Sequence, residues 1–274
     1  MWSFLSSLGF ALEPLRSSVA RGFAILVAGQ CCCCGLPSDT PDPLCSHCCA
    51  ALPRVQNPCI RCGLSCADLS GPATHRAAEP APRHDAELVP LCSACLLTPP
   101  AFDYCCSAFA YRSPIDKLVS GLKFNARGDI GVALSGQLCH RLQSLYSAKS
   151  KIHTWPSAVL AIPLHPARLR QRGYNQAFEV SKIVSRRLKI CDLSHSIYRK
   201  KRTSPQTELI TARQRKENLR GAFGVRASHK LGQHTHVAIL DDVVTTSATV
   251  AELARTLRSH GVRRIDVWCL ARTE

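Results

Sequence analysis

Apolar and polar positions along the chain fall into three regimes. Up to residue 30 the apolar residues recur loosely, as in a mildly amphipathic lead-in helix. From 31 to 102 the periodicity gives way to cysteine and proline, and Ser70–Pro90 is dense in proline, alanine, histidine and charge, the mark of a solvated loop. From 103 to 274 short apolar runs alternate with helical periods.

Within that last regime, Val159-Leu160-Ala161-Ile162 is an apolar run closed by Pro163, the pattern of a buried strand. Asn175–Leu188 follows with Ala177, Val180, Ile183, Val184 and Leu188 at helical spacing. An earlier helix is predicted from about Asp129 to Leu145. Val237-Ala238-Ile239-Leu240 is a second buried strand and ends in Asp241-Asp242. A helix from Thr249 to Ser259 carries Val250, Leu253, Ala254 and Leu257 on one face, and Gly261 stops it. Ile265–Leu270 reads as a third strand. This rhythm predicts an α/β fold: a parallel sheet with right-handed crossovers, flanked by helices. The expected organisation is a lead-in at 1–30, a cysteine module at 31–102 and an α/β domain at 103–274.

Composition narrows the function classes. The 274 residues are 46% hydrophobic, enough for a packed core. No apolar stretch approaches the ~18 residues of a membrane span; the best candidate runs only from Phe23 to Gly29. Residues 1–18 lack a basic start and carry Glu13 and Pro14 where a signal peptide is apolar, so the chain reads as cytoplasmic. The net charge of +16 makes phosphate-bearing partners plausible.

Of 17 cysteines, fourteen lie between Cys31 and Cys106. A cluster in a cytosolic chain points to metal ligation rather than to disulfides. The pairs are Cys31-x2-Cys34, Cys45-x2-Cys48, Cys59-x2-Cys62 and Cys92-x2-Cys95. Each presents two thiolates from one tight turn, and two such turns complete a tetrahedron around zinc. Gly35 and Gly63 stand directly after a pair, where the turn needs a permissive backbone. Whether the pairs combine in order or interleave is left open by spacing alone, and Cys49 and Cys66 are spare thiols. A closed four-thiolate site has no vacant position for chemistry, so its expected work is folding.

The most informative segment is Val237–Thr249. A buried strand ends in two acids, where open α/β sheets bind ligands. Then Thr245-Thr246-Ser247-Ala248-Thr249 opens a helix. Such a loop offers amides, hydroxyls and the positive end of a helix dipole to a phosphate, while the carboxylates suit the vicinal hydroxyls of a ribose. The arrangement reads as a cradle for a ribose 5-phosphate.

That segment resembles the phosphoribosyl pyrophosphate (PRPP) motif of type I phosphoribosyltransferases. Over roughly residues 31–274 the chain resembles the ComF family of competence and DNA-utilisation proteins. The features that carry the resemblance are the paired cysteines, Leu122-Lys123-Phe124, the stretch Val159–Gln176, Gln206–Phe223 and the terminal Val267–Thr273. It implies a phosphoribosyltransferase-like sheet with a zinc-ribbon-like module before it. By resemblance Asp241 and Asp242 hold the ribose hydroxyls, Thr245–Thr249 the 5′-phosphate, and the segment from Ile162 to Gln176 the pyrophosphate, with Mg2+ accompanying PRPP. Arg168 and Arg172 can fork onto phosphate oxygens, and Lys123 matches a family lysine that can touch a phosphate. The family pattern usually has glycine at the position of Ser247, so a positive φ there would strain a serine.

Residues 163–230 hold 17 Lys+Arg and 4 Asp+Glu, which is +13 of the chain's +16. Arg199-Lys200-Lys201-Arg202, Gln206, Arg213, Arg215 and Asn218 occupy the place of the flexible loop that closes over substrate in type I phosphoribosyltransferases. The same charge also suits a single-stranded DNA (ssDNA) backbone and a role beside the DNA-uptake machinery. Aromatics there are sparse. The expected activity is ribosyl transfer from PRPP to an unnamed acceptor, with a non-enzymatic ssDNA- or nucleotide-binding factor as the alternative.

Overall fold

The computed structural model describes residues 29–66, 90–124, 127–147, 154–201, 217–226 and 230–273. All but the end of the expected lead-in helix, nearly all of the loop Ser70–Pro90, and Arg202, Gln206, Arg213 and Arg215 lie outside the described residues. The chain divides into two compact units at Leu52 and Pro53.

In the first unit a cysteine-rich turn precedes a short helix α1, Ser46–Ala51, whose N-cap is Cys45. The second unit opens on a matching turn, followed by helix α2, Ser93–Leu97, with Cys92 at its N-cap. The second cysteine group therefore belongs to the same unit as the sheet.

That sheet is built from β1 Tyr104–Ala110, β2 Ala158–Ala161, β3 Cys191–Asp192, β6 His236–Val244 and β7 Arg264–Arg272. Its order is β1-β7-β6-β2-β3 and every pairing is parallel. Helices α3 Ile115–Phe124, α4 Gly128–Leu145, α5 Pro166–Arg172, α6 Gln176–Leu188 and α7 Ala248–Arg258 fill the crossovers. Parallel strands covered on both faces have apolar residues at consecutive positions, and Val237, Ala238, Ile239 and Leu240 are all fully buried. Val250, Leu253, Ala254 and Leu257 of α7 pack into one core cluster with Leu160, Val237, Ile239, Ile265 and Val267.

A separate antiparallel hairpin pairs β4 Ile197–Arg199 with β5 Phe223–Val225. At the other end of the sheet Asp266 is fully buried, accepting from Tyr146 at 2.6 Å and lying 2.9 Å from His236. This closed polar network holds the amino ends of β6 and β7. No helix among the described residues is long and apolar enough to cross a membrane.

The strand around the acids is longer than the apolar run implies. β6 continues through Asp241 and Asp242 to Val244 because β7 runs on beside it, pairing Asp241 with Cys269 and Val244 with Arg272. Lys123 lies in the last turn of α3, ahead of α4, which covers the helix predicted from about Asp129 to Leu145. The stop after α7 also differs slightly: Ser259 is the C-cap, and Gly261, with φ of 91°, lies two residues beyond it.

Candidate functional site

The strand order creates a crevice. From β2 the chain leaves toward β3, and from β6 it leaves toward β7, so the connections diverge between two neighbouring strands. Such a switch point opens a gap at the carboxyl ends of the strands, where α/β sheets take ligands. Here the gap is flanked by the segment after β2, which includes Arg168 and Arg172, and by the acids and hydroxyl loop of β6.

The segment after β2 is held by local bonds. His165 N-caps α5, its Nδ1 accepting from the Ala167 amide at 3.2 Å, with Pro166 at the first helical position. Gly173 ends α5 with φ of 80°, a left-handed C-cap. The Asn175 side chain donates to the Ile162 carbonyl at 2.9 Å, tying the start of α6 to the end of β2. Tyr174 donates to the Leu122 carbonyl, and Gln176 donates to that of Lys123 at 3.2 Å while accepting from Arg172 at 3.1 Å. The end of α3 is thereby fixed to the Arg-Gly-Tyr-Asn-Gln segment.

That fixing places Lys123 Nζ 3.1 Å from Asp242 Oδ2. Asp241 Oδ1 accepts from the Asp242 amide at 2.9 Å, and Asp242 Oδ1 from the Val243 amide at 2.7 Å. Burial first, and then the neighbouring Asp242, raises the Asp241 carboxyl well above the usual carboxylate range; Lys123 pulls it back down. The arginines feel the same neighbourhood. Burial and then the charge of Arg168 lower the Arg172 pKa, and Asp242 opposes this. Arg199, on β4, is lowered by burial and by Arg168 and raised by Asp241. Lys123 thus pairs with Asp242, the charges of Arg172 and Arg199 are felt by Asp242 and Asp241 respectively, and Arg168 acts on both of those arginines.

Arg199 is a site residue that reading the chain as a basic run does not single out. Its signal is the alternation in β4: Ile197 is buried, Tyr198 exposed, and Arg199 again turns inward, its guanidinium 5.6 Å from the centre of the Phe223 ring.

The hydroxyl loop makes a tight bend. Ser247 is the N-cap of α7 with φ of 60° and ψ of 1°, in the left-handed region. The anticipated strain of a serine at a glycine position is therefore present. Its hydroxyl accepts from Arg272 at 3.3 Å.

The eight pair cysteines form two groups in sequence order: Cys31, Cys34, Cys45 and Cys48 in the first unit, and Cys59, Cys62, Cys92 and Cys95 in the second. Within each group all four sulfurs lie within 4.8 Å of one another. A tetrahedron of Zn–S bonds of about 2.3 Å has edges of about 3.8 Å. The Cys62–Cys92 and Cys34–Cys45 separations of 3.6 and 4.0 Å bracket that edge.

Both groups use one local design, a Cys-x2-Cys-Gly-Leu turn followed by a helix. Gly35 and Gly63 have φ of 76° and 71° and donate to the Cys31 and Cys59 carbonyls at 2.9 and 2.8 Å. Burial pushes the Cys31 thiol up, but N–H groups of Cys45, Cys34 and Cys33 outweigh it and bring it down to about 6. Cys59 follows the same logic, burial opposed by the amides of Cys92, Cys62 and Arg61, down to about 7. Cys62, dominated by burial, is pushed up to about 12. Each group can hold one zinc ion. Cys66 packs beside the second group without joining the four.

No protein-family model matches the chain. It is 33% identical over 250 residues to the DNA utilization protein YhgH of Escherichia coli K12, a match covering 91% of this chain and 99% of that protein. The Shigella flexneri protein of the same name matches equally over the same spans. Competence protein F of Haemophilus influenzae is 34% identical over 181 residues, 66% of this chain and 78% of that protein. An identity of one third over nine tenths of the chain and nearly the whole of its relatives leads to one conclusion: the chain belongs to the ComF family.

Proposed function

We propose that this ComF-family protein binds PRPP, with Mg2+ carried on the pyrophosphate, in the crevice between the ends of β2 and β6, and that it serves the use of external DNA. One juxtaposition supports the ligand. A twin-acid strand end and a hydroxyl loop stand beside an arginine-bearing segment at a topological switch point. The names of the relatives support the process.

In this reading Asp241 and Asp242 accept hydrogen bonds from the ribose hydroxyls. The Thr245, Thr246, Ser247, Ala248 and Thr249 loop donates amides and hydroxyls to the 5′-phosphate. Arg168 and Arg172 fork onto the pyrophosphate, with Lys123 and Arg199 adding positive charge. Mg2+ supplies charge neutralisation on the departing pyrophosphate. When the bond from C1 to the pyrophosphate oxygen breaks, its electron pair leaves with that oxygen. Positive charge then develops on the sugar beside the two carboxylates. An acceptor lone pair closes on C1, which makes the protein a pentosyltransferase. Arg172, Asp241 and Asp242 are its catalytic residues. Zinc in both four-cysteine groups is structural.

A second reading, an ssDNA-binding factor, is favoured by the +13 carried between residues 163 and 230. The two are separable in one set of melts and titrations. Mg2+·PRPP at a hundred times its Kd stabilises by about 2.7 kcal/mol, roughly 5–10 °C in a chain of this size. Under the first reading Asp241→Asn/Asp242→Asn abolishes that shift. A shift that survives the double variant contradicts it. Absence of any shift, together with steeply salt-dependent ssDNA binding that the double variant leaves intact, establishes the second.

A further inference from the structure

Arg272, the last residue of β7, is only 2% exposed. Among the described residues its hydrogen bonds run in two directions. Nε donates to the carbonyl of Cys62 at 2.8 Å. The other two nitrogens reach the far side of the bend: Nη1 donates to the carbonyls of Val244 (2.9 Å) and Thr245, and Nη2 to the hydroxyl of Ser247 (3.3 Å). Thr273 accepts the remaining Nη1 bonds through its carbonyl and hydroxyl. One guanidinium thus joins a cysteine of the second four-thiol group to the start of the hydroxyl loop.

Both ends of this link depend on its shape. The turn at Cys62 is tightly packed: Gly63 has φ of 71°, a Cβ there would sit 3.0 Å from the Cys105 sulfur, and Cys105 donates its amide to the Ile60 carbonyl. Around these cysteines the apolar support is small, chiefly Leu64 and Leu91, so the turn relies on its metal for shape. At the other end Ser247 holds an unfavourable left-handed conformation that needs outside support. Charge balance favours the link as well. Four thiolates around a dication carry two net negative charges, which compensate a buried guanidinium beside them.

We propose that Arg272 is a positioning residue that couples metal occupancy of the Cys59/Cys62/Cys92/Cys95 group to the conformation, and so to the anion affinity, of the Thr245–Thr249 loop. The inference rests on the reading of that loop as a phosphate site. A planar five-donor fork is required, because a lysine in its place cannot span both partners. Coupling of this kind is reciprocal: metal strengthens ligand binding, and ligand strengthens metal binding by the same factor.

The test uses the full zinc-loaded chain. Zinc is partitioned at equilibrium against a colorimetric chelator with and without saturating Mg2+·PRPP, with PRPP binding verified independently by calorimetry. The expected result is that ligand raises the affinity for one ion by about fivefold or more. In Arg272→Lys both ions still load and this gain disappears, an outcome that a purely structural role would not give. Equal zinc affinities with and without ligand in wild-type protein that demonstrably binds PRPP overturn the coupling. A wild-type protein that gives no binding heat overturns the phosphate reading instead. In that event hydrogen exchange at the amides of residues 244–249 decides the coupling alone. Faster exchange in Cys92→Ser/Cys95→Ser than in the zinc-loaded parent supports it, and unchanged exchange rejects it.

Discussion

At the scale of single residues, Ser247 shows how opposing costs nearly cancel. Its left-handed backbone costs an L-residue about 1–2 kcal/mol. Glycine there removes that strain but adds roughly 0.5–1 kcal/mol of unfolded-state freedom and loses the bond from Arg272, worth about 1 kcal/mol. Ser247→Gly is therefore expected to leave unfolding free energy within about 1 kcal/mol of wild type in urea titrations. Ser247→Val, β-branched and unable to accept from Arg272, is expected to lose about 2 kcal/mol or more. Asp241 makes the opposite case, a residue kept against stability. Its folded-state pKa is raised, so the unfolded chain releases this proton at lower pH than the folded one. The cost is absent below the ordinary carboxylate pKa, grows as pH rises from there to the folded-state pKa, and stays constant above it. Asp241→Asn removes it, and thermal melts at pH 7–8 should show the variant at least as stable as wild type, with no such gain at pH 3. A variant clearly less stable at neutral pH contradicts this account of the burial. The strained position was legible as a serine where the family pattern has glycine. Arg199 was not, because its role depends on the β4–β5 hairpin carrying it toward Asp241 and Arg168.

At the scale of elements, legibility followed hydrophobic pattern. β2, α6, β6, α7 and β7 carry strong apolar periods, and each was readable to within a few residues. β1 was hidden inside a cysteine-rich stretch, Tyr-Cys-Cys-Ser-Ala-Phe-Ala, whose burial comes from pairing with β7 and not from its own alternation. α5 buries none of its residues, so it leaves no apolar stripe to read. It stands on its caps, His165 and Gly173. The cysteine pairs were plain from spacing, but their partition was decided by the fold, which repeats a turn and a short helix twice. Two separate groups predict two zinc ions per chain by elemental analysis. Cys59→Ser should leave one. Losing a structural metal at a cost of about 4 kcal/mol lowers the melting temperature by roughly 8–16 °C. A variant that keeps two ions, or loses both, contradicts the partition.

For the whole molecule, the decisive fact is strand order. The acids at 241–242 and the arginines at 168 and 172 are some seventy residues apart in the chain. They meet because β6 lies directly beside β2 while their outgoing connections part. The sequence implied a parallel sheet and marked both ends of the site, yet adjacency of those two strands is a long-range pairing that local pattern does not encode. The charge distribution acts at this scale too. The +13 carried between residues 163 and 230 sets up a long-range field that favours anions. The measurement that tests the central claim most directly is calorimetric titration of Mg2+·PRPP into wild-type chain and into Asp241→Asn/Asp242→Asn. The account predicts one saturable site in the wild type and a loss of at least tenfold in affinity in the double variant, with both zinc ions retained. Equal affinity in the two proteins, or no saturable heat in a zinc-replete wild type, contradicts it.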